Sequence, residues 1–472
     1  HDLLAAGAGL RTLEMKPQQA RLADLTALQL RDEIARGACK AVEATEACLA
    51  RIEEREPEVQ AWAHLDRAYA LRQAEAVDAY RASGRPIGPL HGVPVGIKDI
   101  VDTRDLPTEN GTPLDAGRRP SQDAVIVQRL RAAGAIILGK AVTTELAVFT
   151  PGKTRNPNDP QRTPGGSSSG SAAAVAAGMV PISVGSQTNG SVIRPASFCG
   201  VVGYKPSRGM VPRTGVLAQS PTLDTMGVFS RTIEDAALLV DVMAGHDEGD
   251  PQTVLAAAPQ LLATAQSRPP VKPSFAFVRT PVWDKAEEDV REGFRELCDT
   301  LGDRVVEIDL PAPFDRAHHW QRTVNLAELA RNYARYYDKD PALLSDRLRG
   351  MIEEGRAYTA VDYIRALDGI ARLNAGLTKI FDRFDAVLTP AATGEAPVGE
   401  ATGDPAFSTI WTYCGVPAVT LPLLTGSNGM PIGVQLVGRL YFDGRLLRTA
   451  GWLSNRLQEE GQDIGSVMGA VA

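Results

Sequence analysis

Cysteine is scarce in this chain, and what there is does not pair. Five residues, Cys39, Cys48, Cys199, Cys298 and Cys414, are spread over 472 positions. An odd, widely spaced set argues against a disulfide framework and matches no zinc-ligand spacing; it suits a reducing compartment, with cysteine as a small buried apolar residue. Histidine is nearly as rare, with six residues. Only His318 and His319 adjoin, and neighbours on a helix point in different directions, so no metal site is expected. A basic excess is also missing: 50 Lys and Arg stand against 57 Asp and Glu, for a net charge of −7. Without a Lys- or Arg-rich run to meet phosphates, no nucleic-acid partner is expected. No apolar run is long enough to cross a bilayer. The short stretch Leu3 to Leu10 lacks the basic flank of a secretory signal. These absences together give the expectation of a cytoplasmic protein with no membrane partner.

What is present is a 44% hydrophobic chain with 44 glycines and 32 prolines scattered along its length. That composition suits a large core with many ordered turns. Residues 1–19 read as an N-terminal arm. Helical spacing and caps predict helices from Thr26 to Gly37, from Ala41 to Glu54 (stopping before Pro57) and from Ala68 to Ala82. Val93, Val95 and Ile97 read as a buried strand that delivers Lys98 at its end. Further helices are expected over 122–133, 142–149, 233–243 and 444–457, with strands near 136–138, 201–205, 275–278, 305–308, 385–389, 418–421 and 432–437. Strands alternating with helices imply an α/β fold, a mixed sheet covered by helices on both faces. With no repeat and no clean linker, residues 20–472 read as one domain carrying a variable, mostly helical insertion at about 245–385.

The chemistry concentrates between Thr163 and Arg194. A Gly/Ser loop opens a run of Ala and Val, a short β-like segment follows, and a second Gly/Ser turn ends it. A flexible linker would leave the apolar run stranded in water. A phosphate loop would need Lys after its glycines, and none occurs before Lys205. Gly166 to Gly170 spells Gly-x-Ser-x-Gly around Ser168, but the preceding segment is polar and proline-rich where a nucleophile elbow needs a strand. A serine nucleophile requires a base. No histidine is near either turn in sequence. Lysine can serve if burial disfavours its charged form. Lys98 is the best placed candidate, and an ion pair with Asp99 or Asp102 is the competing structural explanation.

Three co-linear motifs decide between these readings. Gly-Val-Pro-Val-Gly-Ile-Lys98-Asp, Pro-Gly-Gly-Ser167-Ser-Ser-Gly-Ser and Asn-Gly-Ser191-Val-Ile-Arg-Pro-Ala closely resemble the amidase signature family of serine hydrolases. The likeness extends through Phe198–Gly209, Leu223–Gly227, Arg231–Ala236, Gly415–Ala418 and Gly429–Gln435, covering about 25–245 and 380–460. The resemblance implies the fold of that family and a Ser-cisSer-Lys triad, with Ser191 as nucleophile, Ser167 as proton relay after a cis peptide bond, and neutral Lys98 as base. Ser167 and Ser191 stand 24 residues apart, as in the family pattern. It also implies an oxyanion hole in the backbone N–H groups of Thr188, Asn189, Gly190 and Ser191. Ser168, Ser169 and Ser171 are expected to hold the loop. Two departures stand out: the family's Asp-Thr-Gly-Gly-Ser turn reads Gln187-Thr188-Asn189-Gly190-Ser191, and its arginine two residues after the nucleophile is replaced by Ile193, with Arg194 one later. Asn189 is therefore expected to take the conformation glycine normally takes there.

The reaction implied is cleavage of a linear C–N bond through an acyl-enzyme, with no metal or cofactor. Amides, anilides, aryl esters and carbamates (urethanes) are all within reach of such a triad. The partner is then a small-molecule substrate, and a monomer or homodimer is expected. Phe149, Trp411, Tyr413 and Trp320 are candidates for an apolar substrate wall, formed by the insertion and by a loop from Thr402 to Gly415. Two alternatives remain: a glutaminase-type subunit of an amidotransferase, and a non-catalytic binding protein on the same fold.

Overall fold

The structure is a computed structural model that describes residues 15–459. Its frame is one eleven-stranded sheet. In chain order the strands are β1 (Trp62–Leu65), β2 (Pro94–Lys98), β3 (Ile136–Ala141), β4 (Ile182–Gln187), β5 (Val202–Lys205), β6 (Thr225–Ser230), β7 (Phe275–Phe277), β8 (Val305–Glu307), β9 (Ala386–Pro390), β10 (Ala418–Thr425) and β11 (Pro431–Val437). They lie side by side in the order β1-β3-β2-β4-β6-β5-β10-β11-β9-β7-β8. The sheet is mixed: β2 runs parallel to β3 and β4, while β4 pairs antiparallel with β6 in register Ile182↔Ser230 through Gln187↔Thr225.

Alternation along the strands divides the core into two layers. Ile182, Val184 and Val228 join Ala236, Leu239 and Val240 of the helix Ile233–Met243. Phe229, next along β6, faces the other way, into Ala172–Val175 of the helix Ser169–Ala176. Each fully buried Val, Leu or Phe side chain contributes roughly 1.5–3 kcal/mol, so both layers are needed to hold the central strands. The helix Ser169–Ala176 forms because Ala is the strongest helix former. Its small residues let it sit against backbone. A Cβ on Gly170 would fall 2.3 Å from Ala61 O and 2.4 Å from Val142 N.

Several expectations change in the fold. The first 14 residues of the expected arm lie outside the described residues, and Pro17–Asp24 is a helix. The second expected helix continues through Pro57 to Val59. Pro57 forfeits one N–H donor, but extending the helix buries Val59 completely, and left-handed Gln60 ends it. Residues 142–149 form only a single 3-10 turn, Glu145–Ala147. Their backbone bonds go elsewhere: Val142 N to Ala61 O, Thr144 N to Ser167 O and Leu146 N to Asn110 O. The segment Thr402–Gly415, read as a loop, contains the helix Ala406–Cys414, buried along its whole length. Residues 245–385 carry the helices Glu288–Leu301, Ala317–Asn332, Asp346–Ala357 and Ala360–Phe381, and they also supply β7 and the edge strand β8.

Candidate active site

The site is assembled where β2 and β4, adjacent and parallel, end beside the N-terminus of the helix Ser169–Ala176. The final residue of β2 is Lys98, fully buried. Its Nζ donates to Ser167 Oγ at 2.7 Å and to Ser186 Oγ at 2.9 Å. The neighbouring carboxylates that could neutralise it are committed elsewhere: Asp99 lies 3.2 Å from Lys140 Nζ, and Asp102 pairs with Arg118 at 2.7 Å. With no ion-pair partner among the described residues, burial pushes the Lys98 ammonium down to about 7, an effect that the nearby Asp224 partly opposes. An amine with that affinity for protons is substantially neutral at physiological pH.

Ser167 sits on the loop entering the helix, with a cis peptide bond between Gly166 and Ser167. Gly165 turns the chain at φ +81°, a conformation that favours glycine. The three following serines tie this loop to its surroundings. Ser168 Oγ donates to Ser186 O, Ser169 Oγ to Val142 O, and Ser171 Oγ to Val184 O at 2.9 Å.

Ser191 lies on the turn between β4 and the helix Ile193–Cys199 and is partly exposed, unlike Lys98 and Ser167. Among the described residues its hydroxyl has no hydrogen-bond partner, and no acceptor engages the backbone N–H groups of residues 188 to 191. The turn is braced from both sides. Gln187 Oε1 accepts from Val192 N at 2.8 Å and Ile193 N at 2.9 Å, capping the helix that follows, and Gln187 Nε2 donates to Thr412 Oγ1. Thr412 Oγ1 in turn donates to Asn189 O, and Thr409 Oγ1 to Asn189 Oδ1. Asn189 is not among the residues with positive φ; its side chain serves as a tether to the helix Ala406–Cys414. Arg194, fully buried, ties the two serine turns together by donating to Gly166 O at 2.8 Å and to Thr402 O at 2.6 Å.

The lysine–serine contact does not stop at the expected residues. Ser186 lies outside the motifs that single out the other three, although a serine inside a fully buried strand is a signal, since a buried hydroxyl needs a partner. Asp224 is the other addition. Its carboxylate accepts from Thr188 Oγ1 at 2.6 Å and from the N–H groups of Gln219 and Ser220, each at 2.9 Å; burial raises its pKa to about 6. Ser186, Thr188 and Asp224 line a cavity of about 170 Å³ together with Ile100, Ala147 and Leu217.

The aromatic residues expected at a substrate wall lie apart from that cavity. Trp411 and Tyr413 are fully buried in a separate core cluster, where the Tyr413 hydroxyl donates to Ala366 O and its ring meets Trp320. Phe149 packs beneath the Arg347 guanidinium, which lies 4.1 Å from its ring centre. Trp411 and Tyr413 point inward because the segment 406–414 is a buried helix rather than a loop, whereas Phe149 and Trp320 are only partly buried. Among the described residues, no group of three or more His, Cys, Asp or Glu side chains could hold a metal ion, and no helix is long and apolar enough to cross a membrane.

The amidase family model matches residues 43–447. A glutamyl-tRNA(Gln) amidotransferase subunit from Salinispora arenicola (strain CNS-205) is 35% identical, over 92% of this chain and 97% of its own. Among solved structures, native peptide amidase from Stenotrophomonas maltophilia superposes with a TM-score of 0.79 at 28% identity, covering 92% of this chain and 97% of that one. A 6-aminohexanoate cyclic dimer hydrolase complexed with substrate gives a TM-score of 0.81, also at 28% identity, with coverages of 92% and 97%.

Proposed function

The chain belongs to the amidase family of enzymes acting on C–N bonds, and on that premise we propose that it is a serine amidohydrolase whose nucleophile is Ser191. The observation that carries this reading is the buried Lys98 amine, with no carboxylate partner among the described residues, whose Nζ lies 2.7 Å from Ser167 Oγ, a contact in which the Ser167 hydroxyl donates once the amine is neutral. In the proposed reaction Ser191 Oγ attacks the substrate carbonyl carbon. Its proton passes to Ser167, and the Ser167 proton passes to neutral Lys98. The resulting oxyanion is received by the unoccupied N–H groups of Thr188, Asn189, Gly190 and Ser191; such fixed donors are worth roughly 3–4 kcal/mol each in the transition state. Collapse of the intermediate breaks the C–N bond. Lys98 returns its proton through Ser167 to the departing nitrogen, leaving an ester on Ser191. Water, deprotonated by the same relay, then releases the acid. The scheme asks no metal or cofactor to take part.

The test is hydrolysis of a panel of amides, anilides, aryl esters and carbamates by wild type and Ser191→Ala, with labelling by a fluorophosphonate. Turnover and labelling are expected in wild type, and both are expected to vanish in the variant. Labelling that survives in Ser191→Ala would move the nucleophile elsewhere. No labelling and no turnover in wild type would favour a non-catalytic protein on this fold.

A second reading has its own support. The likeness to the amidotransferase subunit over nearly the whole chain favours a protein that releases ammonia from glutamine for a partner enzyme. Hydrolysis of simple amides by the isolated chain, with glutamine ignored, would exclude it.

A further inference from the structure

The cavity of about 170 Å³ beside Ser186 and Thr188 is closed to charge by its own wiring. Its cation is Arg213, and every guanidinium nitrogen is taken. Nε and Nη2 donate to Asp250 at 2.9 and 2.8 Å, and Nη1 donates to Pro221 O and Asp224 O. Its anions are equally engaged. Asp250 holds Arg213, and Asp224 accepts from Thr188 Oγ1 and two backbone N–H groups. A ligand carboxylate entering here would meet two carboxylates and a guanidinium that already spends four of its five N–H groups on Asp250, Pro221 and Asp224. A ligand ammonium would find Asp250 accepting four hydrogen bonds and Asp224 accepting three. The remaining wall is largely apolar, from Ile100, Ala147, Val216, Leu217, Pro221 and Met226. An apolar cavity of about 150 Å³ accommodates a benzene ring.

One polar atom on this wall is left over. Gln219 is 5% exposed; its Nε2 donates to Asn325 Oδ1 at 3.1 Å, which orients the amide, and its Oε1 is buried without a donor. Among the polar side chains lining the cavity, this is the one buried atom with no partner in the described residues. A buried acceptor without a donor is costly, and a ligand O–H or N–H removes that cost.

We propose that this cavity is the specificity pocket for an uncharged, ring-sized substituent of the amide substrate, and that Gln219 Oε1 accepts a hydrogen bond from a donor on that substituent. Glutamine, with its charged α-amino and α-carboxylate groups, is refused there. The proposal rests on the amidohydrolase reading for its turnover arm only, because binding can be read separately.

Affinities would be measured by titration calorimetry on Ser191→Ala, which leaves the cavity lining untouched, with phenylacetamide and its 4-hydroxy, 4-carboxy and 4-aminomethyl derivatives, and with L-glutamine. The 4-hydroxy compound is expected to bind roughly tenfold tighter than phenylacetamide, the difference of one buried hydrogen bond; both charged derivatives and glutamine bind more weakly than phenylacetamide. Adding Gln219→Leu is expected to erase the hydroxyl preference while phenylacetamide still binds. Adding Leu217→Trp, at a half-buried position on the rim, is expected to weaken every aromatic ligand even if Gln219→Leu fails to fold. Tighter binding of a charged derivative or glutamine, aromatic affinities unchanged by Leu217→Trp, or a hydroxyl preference that survives Gln219→Leu would overturn the proposal. Turnover of phenylacetamide by wild type separates the two readings. If the binding order holds but wild type turns over no member of the amide, anilide, ester and carbamate panel, the hydrolase reading fails and the cavity stands as a binding site for an uncharged ring.

Discussion

Lys98 and Lys205 end strands β2 and β5, and both are fully buried. Burial pushes both ammonium groups down to about 7. They differ in what the nitrogen touches. Lys98 Nζ donates to two serine hydroxyls, one of which lines the cavity. Lys205 Nζ donates to the carbonyls of Pro206 and Val416, at 3.0 and 2.7 Å. A hydroxyl can accept a proton and pass on its own; a carbonyl only accepts a hydrogen bond. Asp443, the carboxylate nearest to extending Lys205 into further chemistry, is filled by Tyr204 Oη and by the N–H and hydroxyl of Ser207. A displaced pKa is therefore an incomplete mark of function. The same desolvation acts on a lysine joined to two serine hydroxyls, where we propose a proton relay, and on one sealed against two carbonyls.

The contrast is broken or sharpened first by substituting the two lysines. Lys98→Met is expected to lower kcat/KM by about 10²–10⁴, the usual contribution of a positioned base. Lys205→Met is expected to keep kcat near wild type and to destabilise the fold by about 1–3 kcal/mol, because two buried carbonyls lose their donor. Urea unfolding and steady-state kinetics on the same preparations read both effects. Equal losses of activity would erase the distinction. The second test is pH. The base must be neutral, and the neutral fraction of Lys98 grows as pH rises through about 7. Accordingly kcat/KM is expected to climb with pH across neutrality and level off above it. A rate flat through that range would remove Lys98 from the role. The smallest effect belongs to Ser186→Ala. Losing one acceptor for the Lys98 amine is expected to cost roughly tenfold or less in kcat. An ammonium is held by that acceptor more strongly than an amine, so the pH limb is expected to move to lower pH. An unshifted limb would show that Ser186 does not act on the base.

Much of this arrangement is legible in the sequence, for local reasons. The glycines and serines of 163–171 require a tight, hydrogen-bonded loop, the alanines after them a small-faced helix, and Val93, Val95 and Ile97 a buried strand ending at Lys98. Other parts are not legible locally. Residues 142–149 are expected to be helical, yet the N–H groups of Val142, Thr144 and Leu146 bond Ala61, Ser167 and Asn110, partners between 23 and 81 positions away. Strand β6 exists because Thr225–Ser230 finds β4 and β5 on either side. The aromatic rings of 411 and 413 could be assigned to a substrate wall or to core only after the direction of the helix Ala406–Cys414 was known.

The sequence by itself determined the family, the mixed α/β architecture and the residue types available for proton transfer, because motif order and strand alternation are properties of the chain. Only the tertiary structure decided that Lys98 has no carboxylate partner among the described residues while Lys140 has one, that Ser186 shares the Lys98 amine, and that Arg213 is spent on Asp250. Charge neutralisation and desolvation depend on distances of a few ångströms between residues far apart in the chain, and spacing along a sequence does not contain those distances.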